Sequence, residues 1–416
     1  MLETVDLVIK NAAQLLIPKK DNARATLKII SDGAVACSGE RIVATGKTAD
    51  VIASIKNSKA TRVIDASGMV VAPGFVDPHT HPVFFGSREH EFHLRNSGKS
   101  YTEIAEAGGG IRCSVRQLRR ASKQQLIQHC LPHLDHFIEN GTTTIEAKSG
   151  YGLTLDDEIK SLEVIHELNR LHPIDLVATF LGAHEIPDEY RSRHEDYVRL
   201  VIEEMIPRVA ELQLAEFCDV FCESHVFNSD QSERILTAAK QYGFKVKIHA
   251  DQLTSGGGAA LAAKLKAVSA DHLDHINDQA IQQLKNAGTI PVLLPGAVFF
   301  LGLTQYAPAR KLLDAGLPVA LATDFNPGSC MTESLPMMMT LASIYLKMTS
   351  EEVWCATTIH AAQAIARPGK IGTLENGALA DIVIWNIPNY QYLPYHFGVN
   401  LVNCVLKRGK IVREKN

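Results

Sequence analysis

One rhythm constrains this chain more than any other feature. From about residue 73, short apolar β-like runs alternate with longer helical stretches. Eight runs can be counted: "MVVAPGFVD" (69–77), "TTTIEAKS" (142–149), "IDLVATFLGAHE" (174–185), "FCDVFCES" (217–224), "KVKIHADQ" (245–252), "AVSADHL" (267–273), "TIPVLLPG" (289–296) and "PVALATDF" (318–325). Between them lie segments such as "SKQQLIQHCLPHLDHFIEN" and "DEIKSLEVIHELNRLH". Apolar strands alternating with helices imply a parallel sheet covered on both faces. Eight strands over about 250 residues predict an α/β chain built on a (β/α)₈ TIM-like barrel. A doubly wound sheet is the alternative. It would carry a Gly-rich phosphate fingerprint after its first strand, and this chain has none.

The two ends read differently. Residues 1–72 show short strands punctuated by turn residues, and strands return in "GTLENGALADIVIWNI" and "NCVLKRGKIV". Thr349 and Glu352 have capping-box spacing ahead of the helix that precedes this return. The simplest assembly pairs both ends, 1–72 and 367–416, into a small β-sandwich domain, leaving 73–366 as the barrel.

Charge excludes some partners. Lys+Arg is 42 against Asp+Glu 46, a formal net charge of -4, which argues against nucleic acid or an anionic membrane. The eight cysteines include no C-x-x-C pair. That argues against a thiolate zinc site or a disulfide framework and for a reducing cytoplasm. "MLETVDLVIK" lacks the features of a signal peptide, and no apolar window is long enough to span a bilayer.

Chemistry concentrates at the ends of the runs. The first ends in "DPHTHP", with His79 and His81 two apart and so on one face of a strand. Pro78 and Pro82 cannot donate to a strand ladder, which places both histidines at a frayed end. The fifth run ends with His249, the sixth with His272 and the eighth with Asp324. Each alone has a bland reading: a polar strand end, a hydrogen-bonded core histidine, an Asx-turn aspartate. Together they converge on the C-terminal mouth of a barrel, where imidazoles and a carboxylate make a good shell for Zn²⁺ or Fe²⁺. His129, His133 and His136 mimic a zinc helix, but the Glu of H-E-x-x-H is missing and Pro132 intervenes, so they read as a solvated face. Cys218 and Cys222 read as barrel packing. "FCDVFCES" offers no lysine to bridge two metals, which favours one. "GGG" at 108–110 reads as a flexible loop.

With these residues in view, the chain resembles the amidohydrolase superfamily. "PGFVDPHTH" looks like its first-strand signature, His249, His272 and Asp324 match its fifth-, sixth- and eighth-strand positions, and "GTLENGALADIVIW" looks like its C-terminal β-sandwich return. "DPHTHPVFFGSREHEF", "AGGGI", "EAKSGYGL", "FLGAHEIP", "IHADQ" and "TDFNPGS" point to members that open a small cyclic amide bearing a carboxylate tail. The resemblance implies one divalent metal held by His79, His81, His249 and Asp324. It implies substrate contacts at Arg88, Tyr151, His184, Gln252, Asn326, Gly328 and Ser329, and catalytic roles for Asp324, His272 and Gln252. Arg88 would clamp the carboxylate tail, and backbone N–H groups of "NPGS" would meet the other polar end. A homodimer is implied as well.

Two other functions stay open. Related deaminases act on nucleobase-like rings, and many carry a carboxylate after "HAD" where this chain has Gln252. An amide can hydrogen-bond a ring but cannot take up a proton at neutral pH. A non-catalytic metabolite-binding barrel would show a degraded metal shell, and here every position is filled.

Overall fold

Apolar runs with no polar face need cover on both sides, and the computed structural model, which describes residues 3–21, 24–99, 103 and 108–415, supplies it with a closed barrel. Its strands are β1 (Phe75–Asp77), β2 (Thr142–Lys148), β3 (Asp175–Ala183), β4 (Phe217–Cys222), β5 (Lys245–Ala250), β6 (Ser269–His272), β7 (Ile290–Leu293) and β8 (Ala320–Leu321). They pair in chain order, each parallel to the next. Just past the short strands β1 and β8 the ring closes. Thr80 bridges Phe325, the His81 N–H donates to the Phe325 carbonyl at 2.9 Å, and the Asp324 N–H to that of His79 at 3.1 Å.

The first run differs from its expected extent. It is not one strand over 69–77 but two, Val70–Pro73 and β1, separated at Gly74. Val70–Pro73 belongs to another sheet, so the chain steps between layers here. Gly74 sits so tightly on β2 that an added Cβ would lie 2.9 Å from the Cβ of Thr143. An apolar run cannot reveal such a step, because both halves are buried.

The chain ends interleave. A six-stranded sheet runs in the order Lys410–Glu414, Val402–Lys407, Ile382–Trp385, Val70–Pro73, Gln14–Asp21, Arg24–Ile30. Residues from both ends meet where Ile384 pairs with Val71 and Trp385 with Val70. A four-stranded sheet (Arg41–Lys47, Gly33–Ser38, Glu3–Ala12, Ile55–Asp65) packs on it. Alternation sorts the side chains. Leu15, Ile17, Val71, Ile382 and Ile384 face the four-stranded sheet, while Leu16, Val70, Ala72, Val383 and Trp385 join the barrel's apolar core. Trp385 contacts Phe75 at a ring separation of 5.2 Å, tying the layers together.

Helix ends follow the sequence signals. Ser122 and Gln125 form a capping box for Lys123–Glu139, and Thr349 and Glu352 one for Ser350–Ala356. Lys123–Glu139 runs unbroken through Pro132, and its histidines are not a solvated face. His129 and His133 pack on Phe84, His133 binds Glu333 at 2.8 Å, and only His136 is exposed. Ring packing against the loop after β1 outweighs their polarity. All eight cysteines are free, and Cys218 and Cys222 are buried as packing residues. Among the described residues no helix is long and apolar enough to cross a membrane.

Candidate metal centre

The strand-end residues converge. Nε2 of His79 lies 3.3 Å from Nε2 of His81, which lies 3.5 Å from Nε2 of His249. Oδ1 of Asp324 stands 3.5 Å from Nε2 of His79 and 3.6 Å from that of His81. A tetrahedral ion with ligands at about 2.0–2.1 Å would hold them about 3.3–3.4 Å apart. The spacings among His79, His81 and Asp324, and between His81 and His249, lie close to that, and the donor types suit a divalent transition metal. His272 stands beside them, with rings 5.3 Å from both His79 and His249. His184 stacks on His81 at 5.0 Å with an interplanar angle of 13°.

Backbone conformation aims these groups. Asp324 and His272 adopt left-handed φ values of 56° and 78°. Each turns its side chain at the end of a strand, a local cost tolerated where a site is assembled. Burial then sets protonation. It lowers the pKa of His79, His81 and His272 well below the usual value, and that of His184 to about 3. Neutral imidazole is the form that ligates a metal. Burial also raises the Asp324 carboxyl well above its ordinary range.

The histidines are held from behind. Nδ1 of His79 hydrogen-bonds Oδ2 of Asp271 at 2.6 Å, and Nδ1 of His249 lies 3.0 Å from Oδ2 of Asp219. These carboxylates, with Glu146, Lys148 and Lys247, form a fully buried charged layer under the centre. Sequence reasoning assigns none of these five to the site. A signal was present: polar residues two apart inside apolar strands, as in Glu146/Lys148 and Lys247/His249, share one face.

The other expected residues fall on the loops that follow β1, β2, β3, β5 and β8. Tyr151 is buried 5.4 Å from the His184 ring, and Nδ1 of His184 donates to the Gly150 carbonyl at 2.9 Å. Gln252 stands half-buried in the turn after β5. Arg88 binds Glu91 through Nε at 3.0 Å and Nη2 at 2.6 Å. Glu91 also accepts the Gly110 N–H at 3.1 Å, so it pins both the arginine and the glycine loop. Asn326 departs from expectation. Its Oδ1 accepts the N–H groups of Gly328 and Ser329, each at 2.8 Å, so those donors are spent inside the turn. What the turn presents instead is Ser329 Oγ, 3.3 Å from Oδ2 of Asp324, and the bare Cα of Gly328 against Arg88.

Comparison with known proteins agrees with this geometry. Residues 133–413 match the model of the Amidohydrolase family. The chain is 48% identical to an imidazolonepropionase of Alkaliphilus oremlandii, covering 99% of each chain. It is 50% identical to one of Shouchella clausii, covering 98% of this chain and 93% of the relative. In fold it is similar to Escherichia coli guanine deaminase (TM-score 0.75, 14% identity, covering 98% of this chain and 99% of that one). It is also similar to an adenosine deaminase of Xanthomonas campestris with bound zinc (TM-score 0.73, 18% identity, covering 100% and 94%).

Proposed function

This chain belongs to the amidohydrolase family and, within it, to the imidazolonepropionases, and from that premise we propose that it hydrolyses 4-imidazolone-5-propanoate to N-formimidoyl-L-glutamate in histidine degradation. The observation that carries this reading is the convergence of His79, His81, His249 and Asp324, with Arg88 against Gly328 in the turn that follows Asp324. Water adds to the ring carbonyl, the adjacent C–N bond breaks, and the leaving nitrogen gains a proton.

One divalent ion, Zn²⁺ or Fe²⁺, fits the donors, and when bound it brings the pKa of a coordinated water to about 7 and polarises the carbonyl. The chain's residues do the rest. Asp324 accepts the proton of the attacking water at its carboxylate and returns it to the leaving nitrogen. Ser329 Oγ, donating to Oδ2 of Asp324 at 3.3 Å, keeps that carboxylate oriented. His272 donates to the oxygen on which negative charge develops. Arg88, fixed by Glu91, pairs with the propionate. Tyr151, His184 and Gln252 wall the ring and exclude water from its far face. Gln252 cannot take up a proton at neutral pH, which favours ring opening over deamination schemes that need a carboxylate there.

The test is turnover. Purified, metal-loaded protein is incubated with imidazolone propionate and the loss of its ultraviolet absorbance followed, with guanine and cytosine as controls. Turnover of the first alone is expected. Turnover of a nucleobase instead, or none with metal bound, overturns the reading.

We place the protein in the cytoplasm, which suits its eight free cysteines, and propose a second copy as its partner. Ile344, Tyr345, Tyr395 and Phe397 are 52%, 48%, 78% and 64% exposed. Ile344 and Tyr345 end the helix Leu335–Tyr345, Tyr395 ends the helix Tyr392–Tyr395 with Phe397 just past it, and the Thr340 hydroxyl joins the two by donating to the Pro394 carbonyl at 2.9 Å. Exposed apolar groups of this kind mark interfaces, and light scattering on the eluting protein reads its mass.

A further inference from the structure

Behind the metal centre lies a place built for positive charge. Glu146 on β2, Asp219 on β4 and Asp271 on β6 face one another in the barrel interior, each 0% exposed. His79, Glu146 and Asp271 offer atoms within 4.8 Å of one another, close enough to hold a metal ion. The chain fills that place itself. Nζ of Lys148 stands 2.9 Å from Glu146, 2.7 Å from Asp219 and 3.8 Å from Asp271. Nζ of Lys247 stands 2.6 Å from Glu146 and 3.7 Å from Asp271, and donates to the Pro78 carbonyl at 2.8 Å.

We propose that the Lys148 and Lys247 ammonium groups are the fixed cations of this centre: they take the room a second metal ion would occupy and hold Asp271 and Asp219 against Nδ1 of His79 and His249. Both rings then present Nε2 to a single ion. The lysines are positioning residues, acting through carboxylates that act through ligands. Lys247 has a second hold, since the Pro78 carbonyl it grips is in the residue before His79.

Stability alone does not account for this arrangement. Buried ion pairs are poor stabilisers, and apolar replacements of similar volume are often neutral or better. Five buried charges confined to the layer under the ligands need another reason, and ligand orientation provides one. Partners of ligating histidines change metal affinity by about 10- to 100-fold when removed. Burial works against the charged form of Lys148, and the carboxylates of Asp219, Glu146 and Asp271 more than offset it, raising its pKa above the ordinary lysine value.

The inference rests on the metal-hydrolase reading, but its test reads metal binding and not turnover. A loaded enzyme inactive on imidazolone propionate would end that reading and leave this one standing. Full-length protein is stripped with a chelator and titrated with Co²⁺ against a chromophoric competitor, and bound ions per chain are counted by elemental analysis. The native chain is expected to bind one ion. Lys148→Met is expected to bind it about 10- to 100-fold more weakly, with an altered Co²⁺ visible spectrum. A second ion in the native chain, or native affinity and spectrum in a folded Lys148→Met, overturns the proposal. A lowered melting temperature with affinity and spectrum unchanged overturns it too, because that is what a purely structural lysine would give. Should Lys148→Met fail to melt cooperatively, Lys247→Met and the near-isosteric Asp271→Asn take its place. The same weakening is expected of both, and native affinity in both overturns the proposal.

Discussion

The N–H of Asp324 donates to the carbonyl of His79 across 3.1 Å, so the seam that closes the barrel and the proposed metal centre share one piece of backbone. Ligands on both sides of that seam mean that an ion bound there also staples the first strand to the last. Metal removal is therefore expected to destabilise the fold as well as stop catalysis. At a free concentration 1,000-fold above the dissociation constant, an ion that binds only the folded chain stabilises it by about 4 kcal/mol. Denaturant titrations of loaded and chelator-treated protein measure the difference. In His249→Ala the difference should vanish and activity should fall by about a thousandfold or more, as expected when several kcal/mol of transition-state stabilisation are lost.

Gly328→Ala separates recognition from folding. A Cβ at this position would lie 2.9 Å from Cζ of Arg88, far too close, yet the clash falls on the end of a long side chain and not on backbone. The arginine must leave its pairing with Glu91 and with it the place from which it meets a carboxylate. Stability should change by less than about 1 kcal/mol, while kcat/KM falls about 10- to 100-fold, mostly through KM. Steady-state kinetics beside a thermal melt decide it. Equal kinetics in the variant would remove Arg88 from the substrate site.

The same positions show what a sequence can and cannot disclose. His79, His81, His249, His272 and Asp324 were legible because each ends an apolar run, where a polar residue stands out. Glu146, Lys148, Asp219, Lys247 and Asp271 stand inside runs, where one charged residue reads as noise until the strands are brought together. The division of the first run at Gly74 was hidden for the opposite reason: both halves are apolar because both layers are buried. The spent N–H groups of Gly328 and Ser329 could not be foreseen either. An Asx-turn at Asn326 and an open anion cradle are written in the same residues, and only geometry separates them.

Trp385 joins the layers and should matter to stability alone. It is 0% exposed and packs on Phe75 and on Trp354, at ring separations of 5.2 and 6.0 Å. Trp385→Ala leaves a large cavity between sheet and barrel and is expected to cost about 3–5 kcal/mol. Metal affinity should stay native, since the ring contacts of Trp385 are with Phe75 and Trp354 and not with the ligands. Denaturation and chelator competition on the same preparation check both halves.

His360 gives the fold a pH dependence of its own. Its Nδ1–H donates to the Val319 carbonyl at 2.8 Å from the helix Ile359–Ala364, and burial lowers its pKa from 6.5 to about 4 in spite of that bond. The unfolded chain therefore binds a proton at this residue at a higher pH than the folded chain does. Stability is full above the unfolded value of 6.5 and falls as pH drops toward about 4. The loss is on the order of 3 kcal/mol over that window. In His360→Gln this contribution is absent. The gap in unfolding free energy between native and variant chains, both metal-free, should therefore be wide at pH 7 and should shrink in acid. The buried histidines of the metal centre titrate in both proteins and cancel in the difference. Parallel curves from pH 7 down to pH 4.5 would show that His360 does not titrate with folding.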